Sequence, residues 1–81
     1  MTLEVIYLIS FGWCVREAGT RRRIVENAPS QEHAIEAAKI EARSRIAAGL
    51  ARSVEVRIKT KWLKRIRDSR TYGYDDPRFP G

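Results

Sequence analysis

One cysteine, one histidine, five scattered glycines and no long apolar run narrow what this 81-residue chain can do. A lone Cys14 makes no internal disulfide. Together with His33 it falls short of the three or four ligands that zinc sites take from protein side chains. His33 reads as an exposed residue of a first helical turn and Cys14 as a small strand hydrophobe. A Ser-His-Asp arrangement would have to use His33, and no G-x-S-x-G elbow is present to present a serine. The glycines form no phosphate-cradling loop. Asp75 and Asp76 are adjacent in a proline-flanked stretch, which does not hold paired carboxylates rigidly. No catalytic residue, metal site or cofactor is therefore assigned, and an enzyme is not expected. No stretch approaches the roughly twenty apolar residues of a membrane span. The opening Met1-Thr2-Leu3-Glu4 has neither a basic leader nor a cleavage site. With the sparse cysteine, a cytoplasmic setting is expected.

What the chain does have is positive charge, and it is localised. Net charge is +6, from sixteen Lys and Arg against ten Asp and Glu. The segment Arg52–Arg70 holds eight of the basic residues (Arg52, Arg57, Lys59, Lys61, Lys64, Arg65, Arg67 and Arg70) and only two acids, Glu55 and Asp68. Its local balance of +6 equals that of the whole chain, so the remainder is neutral. A basic element on a balanced body suits a polyanionic or acidic partner.

Periodicity sketches the fold. Glu4–Glu17 reads as one extended segment, β-branched and aromatic at Val5-Ile6-Tyr7-Leu8-Ile9. Val5, Tyr7 and Ile9 point one way, Ile6 and Leu8 the other. Both faces are apolar, which requires a central strand covered twice or a partner over the second face. Gly12 marks a bulge, and Ala18-Gly19-Thr20 turns the chain into a short strand over Arg21–Asn27. Ser30 is an N-cap, with Glu32 near the positive helix end. Ile35, Ala38, Ala42, Ile46 and Leu50 form a helical stripe from Gln31 to about Ala48, ended by Gly49. Ile40 lies off that stripe, and Glu41 and Arg45 form an i,i+4 pair. Val54, Val56 and Ile58 then alternate with Glu55, Arg57, Lys59 and Lys61, as in a half-buried strand. Trp62–Arg67 turns back into a short final strand with Leu63 or Ile66 facing inward. The expected fold is α+β: a small two-layer sandwich in β-β-α-β-β order. It has an antiparallel sheet of three or four strands with one helix on one face. Residues 1–70 form one domain and 71–81 an irregular tail.

Three stretches resemble the family catalogued as domain of unknown function 2188, small bacterial and phage proteins. They are Gly12-Trp13-Cys14-Val15-Arg16, Ser30-Gln31-Glu32-His33-Ala34-Ile35-Glu36-Ala37-Ala38, and Arg65-Ile66-Arg67-Asp68-Ser69 with Tyr72-Gly73-Tyr74-Asp75-Asp76-Pro77. The resemblance supports the fold and implies no activity. Family members place a glycine-containing turn where this chain has Thr60-Lys61-Trp62-Leu63-Lys64, and one acid where it has Asp75-Asp76.

Two functional readings follow. In the first, the chain is a non-enzymatic nucleic-acid-binding module. Arg57, Lys59 and Lys61 project from one strand face about 7 Å apart, and Lys64, Arg65, Arg67 and Arg70 extend the row. Trp62, with Tyr72 and Tyr74, stacks on bases. Arg21, Arg22 and Arg23 either join this surface or pair with Glu17 or Glu26. In the second, the chain is a phage or mobile-element accessory, an inhibitor or adaptor gripping an acidic host protein surface. Lysines on a strand edge also serve simply to block aggregation. The two-faced first strand and Ile40 favour a buried partner surface, either a homodimer or a host protein.

Overall fold

A computed structural model of the chain describes residues 1–73. It consists of β1 (Thr2–Leu8), β2 (Gly12–Glu17), β3 (Arg23–Ala28), α1 (Gln31–Ala47), β4 (Ser53–Lys59) and β5 (Ile66–Gly73). The strands form one five-stranded sheet in the order β3-β2-β1-β4-β5. The fold is a small α+β sandwich with one helix, as the periodicity indicates. The sheet differs from the expectation in two respects. It has five strands, and it is mixed: β1 and β4 are parallel, with Val5 beside Ile58, while the other neighbours are antiparallel.

The extra strand comes from a turn that divides Glu4–Glu17. The Phe11 N–H donates to the Leu8 carbonyl at 3.0 Å, and Gly12 leaves the turn at φ +68°. Only glycine enters that region without a Cβ penalty. Ile9, read as part of a strand, is instead 82% exposed at the turn. The parallel pairing follows from α1, which carries the chain from β3 over one sheet face to β4.

The helix obeys its local signals. The Ser30 Oγ accepts from the His33 backbone N–H. At the other end the Gly49 and Leu50 N–H groups donate to the Ile46 and Arg45 carbonyls, with Gly49 at φ +76°. This pattern satisfies orphan carbonyls of the last turn. Leu50 lies beyond the helix and is exposed, so the buried stripe is Ala34, Ile35, Ala38, Ala42 and Ile46. Its small side chains let α1 lie close to Leu3, Val5, Val15, Val54, Val56, Ile58 and Tyr72.

On β5 the inward residue is Tyr72, 3% exposed; Leu63 and Ile66 are exposed. Sequence reading places the tail from residue 71, whereas β5 runs through Thr71-Tyr72-Gly73. Tyr74, Asp75, Asp76 and Phe79 lie outside the described residues.

Candidate functional site

The sheet face away from α1 carries a network of opposite charges. Glu4 is 5% exposed although it lies on this open face. It stands in register between Arg16 on β2 and Arg57 on β4. Its carboxylate takes Arg16 Nε at 2.9 Å and Lys59 Nζ at 2.6 Å. Burial alone would raise its pKa, but the hydrogen bonds and charges of Lys59 and Arg16 hold it below the ordinary carboxylate value. Beside it, Glu55 takes Arg57 Nε at 3.1 Å and the Ser69 hydroxyl at 2.7 Å. The Ser69 hydrogen bond is the main cause that lowers the Glu55 pKa. Ile6 and Cys14, cross-strand neighbours, are buried within this face. Burial pushes the Cys14 thiol up, so it is a poor nucleophile. Among the described residues no cluster of metal ligands occurs.

This network changes the proposed basic row. Arg57 and Lys59 project from the open face but are each neutralised internally. Arg70 aligns with Val56, hence on the helix side, and its Nε lies 3.3 Å from Asp68 Oδ2. A hydrogen bond to Tyr72 is the main cause that raises the Arg70 pKa. The Arg67 Nη1 donates to Gln31 Oε1 at the start of α1, at 2.6 Å. The seven cations are therefore not one continuous row; the strand charges are divided between two faces and given partners.

What remains together is the β4–β5 turn. Trp62 is 69% exposed and meets the Tyr7 ring edge-to-face at 5.6 Å. Tyr7 in turn meets Trp13 at 5.5 Å, making a row of three aromatic rings across β2, β1 and the turn. The Lys61 ammonium lies 4.5 Å from the Tyr7 centroid and 5.0 Å from that of Trp62, within cation–π range. Lys64 adopts φ +53° and donates to the Tyr7 carbonyl at 2.8 Å. A lysine thus occupies a left-handed conformation that glycine favours, held there by its contact with β1. The Arg65 N–H donates to the Thr60 hydroxyl, while its guanidinium makes no ion pair among the described residues. Leu63 and Ile66 add exposed apolar surface beside these cations.

The second cluster lies elsewhere. Arg21 and Arg22 sit in the β2–β3 turn, which is tied to the start of β1 by the Ala18 N–H to Thr2 carbonyl bond. The Lys64 contact is at Tyr7, five residues or about 17 Å along the strand. Arg23 pairs with Glu26 at 3.1 Å and stacks on Phe11 at 3.9 Å. Arg21 and Arg22 do not join the β4–β5 turn. Tyr72 is buried against the helix and is not a stacking surface.

Sequence reasoning missed Tyr7 as the partner of Trp62, Trp13 as the partner of Tyr7, and Glu4 as the acid that neutralises Lys59. A carboxylate inside the apolar run Leu3–Leu8 was the available signal for the last. Among the described residues no helix is long and apolar enough to cross a membrane.

The model of the family described as an uncharacterized protein conserved in bacteria (DUF2188) matches residues 7–72. No curated protein and no solved structure gives a significant match. The matched span covers most of the chain, which therefore belongs to the DUF2188 family.

Proposed function

We propose that this DUF2188 chain is a small, cytoplasmic, non-enzymatic nucleic-acid-binding module. Its contact zone is the β4–β5 turn rather than the whole basic strand. The observation carrying this reading is the Lys61 ammonium 5.0 Å from the exposed ring of Trp62, with Lys64 and Arg65 on the same turn. Cations neutralise phosphates without reading sequence. A neighbouring indole offers a stacking surface suited to unpaired bases. The rigid backing of Tyr7 and Trp13 limits the entropy lost when a base stacks. The ion pairs that Arg57, Lys59 and Arg70 make within the chain support the same division: those cations already have acidic partners, and the turn makes the contact.

A second reading draws on one further observation, the exposure of Leu63 and Ile66 beside the same cations. It assigns the turn to an acidic protein surface of a host, as an inhibitor or adaptor would bind, including one that handles nucleic acid.

The test separates the two. Purified protein is incubated at low salt with mixed-sequence single-stranded and duplex oligonucleotides, and in parallel is used to capture partners from nuclease-treated bacterial lysate. The first reading expects a salt-sensitive oligonucleotide shift that Trp62→Ala weakens. Absence of any shift at low salt, with stoichiometric protein captured, favours the second.

A further inference from the structure

The geometry points to β5 as a homodimerisation edge, two copies joining antiparallel across Ser69 to make one continuous ten-stranded sheet. β5 is an outer strand of the sheet. Its backbone direction follows from its neighbours. The Glu55 N–H donates to the Met1 carbonyl of the β1 side. Alternate β4 residues Val54, Val56 and Ile58 therefore turn their N–H and C=O groups toward β5, where Tyr72, Arg70 and Asp68 lie opposite them. Ser69, between two of these, directs its backbone groups outward. An independent contact agrees: the Ser69 N–H is bonded to the adjacent Asp68 Oδ1 at 2.8 Å. A side chain satisfies what a neighbouring strand would otherwise pair.

The register is chosen by charge. Centring a two-fold pairing on Ser69 places Asp68 of each copy opposite Arg70 of the other, twice. It also places Arg67 opposite Thr71 and Ile66 opposite Tyr72, so nearly the whole strand overlaps. Centring on Arg67, Asp68 or Arg70 sets like charges face to face, which is destabilising. Centring on Thr71 uses only the last residues of the strand. In the Ser69 register, each Ser69 N–H donates to the carbonyl of the other Ser69, and Asp68 exchanges its contact with Arg70 of its own strand for Arg70 of the other copy.

The other edge lacks these properties. β3 has register shifts against β2 and a left-handed residue at Asn27, φ +56°, followed by Pro29. Bulges and proline are the usual devices that block edge pairing. The occupant this edge fits is thus a second copy of the chain. The two-fold lies perpendicular to the sheet, so both helices share one side. Independently of what they bind, the two β4–β5 turns then stand about 27 Å apart, eight strand residues at the usual rise.

The test is the molar mass of the full chain by sedimentation equilibrium over a dilution series, with far-UV circular dichroism to confirm folding. Wild type is expected to be a dimer. Ser69→Pro removes the outward N–H at an edge position where proline is tolerated and is expected to give a folded monomer. Arg70→Asp is also expected to give a monomer, and the swap D68R/R70D to restore the dimer. Ser69→Cys supplies a second readout. Cα atoms of a hydrogen-bonded antiparallel pair lie about 5.5 Å apart, within disulfide range. Oxidised glutathione should therefore link two folded copies. A wild type that stays monomeric at all concentrations overturns the inference. So does a dimer whose mass Ser69→Pro leaves unchanged.

Discussion

The Lys59 ammonium lies 2.6 Å from the Glu4 carboxylate, across the β1–β4 parallel pair and on the sheet face that no helix covers. Glu4 is also held by Arg16. The central strand therefore carries a nearly buried acid whose two cations come from both neighbouring strands. This explains why a strand with apolar residues on both faces is stable here: its open face is sealed by Ile6, Cys14 and an ion-pair network.

Glu4→Gln leaves Lys59 and Arg16 without their anion. Removing one partner of a largely desolvated pair costs more than the pair contributes net. A loss of about 2 kcal/mol in urea unfolding is expected, given that both cations keep partial exposure. A Glu4→Gln variant as stable as wild type would show that the pair is energetically neutral.

The pH dependence has a definite sign. The Glu4 pKa is lower folded than unfolded. Its contribution is present above the unfolded value and is lost as pH falls through the folded one. Glu17 and Glu55 are lowered too, Glu17 chiefly by hydrogen bonds from Thr20 and Arg45. Wild type should lose stability on acidification below the ordinary carboxylate range. The gap between wild type and Glu4→Gln should narrow over the same interval, followed by urea melts at stepped pH.

Backbone conformation gives two substitutions of opposite sign. Gly12 has φ +68°, and a Cβ there would meet Asn27 Cα at an ordinary 3.5 Å, so the cost of Gly12→Ala is conformational. It should destabilise by about 1–2 kcal/mol. Arg21 has φ +61° in the β2–β3 turn. Arg21→Gly removes the same strain and should be neutral or stabilising by up to about 1 kcal/mol after the entropy cost of glycine. Thermal melts of both variants check the pair.

Ala38 is fully buried between α1 and the sheet. Ala38→Leu adds three carbons where small residues set the helix–sheet distance. A destabilisation of roughly 1–3 kcal/mol is expected, read from the same melts.

The parts of this fold written in local chemistry were legible in the sequence. Ser30 and Gly49 bound the helix because capping needs only neighbouring residues. Val54, Val56 and Ile58 declare β4 by alternation. The Ile9–Phe11 turn was not legible, since it contains no glycine, proline or asparagine and its apolar residues imitate a strand. The parallel β1–β4 pair depends on where α1 returns the chain, which periodicity does not encode. The site follows the same division. A cluster of cations is visible as composition, but their partners are distant: Glu4 for Lys59 and Gln31 for Arg67. Those contacts decide which charges are already used within the fold.

The central claim, that Trp62 and its surrounding cations form the nucleic-acid contact, is tested most directly by tryptophan fluorescence of a Trp13→Phe variant, in which Trp62 is the only indole. A single-stranded oligonucleotide is titrated in at several salt concentrations. Stacking should quench Trp62. Three phosphate contacts from Lys61, Lys64 and Arg65 should give log K a slope of about −2 against log salt, and Lys61→Glu should make that slope shallower. Unchanged fluorescence at low salt, or quenching with an affinity that salt does not alter, would contradict the account.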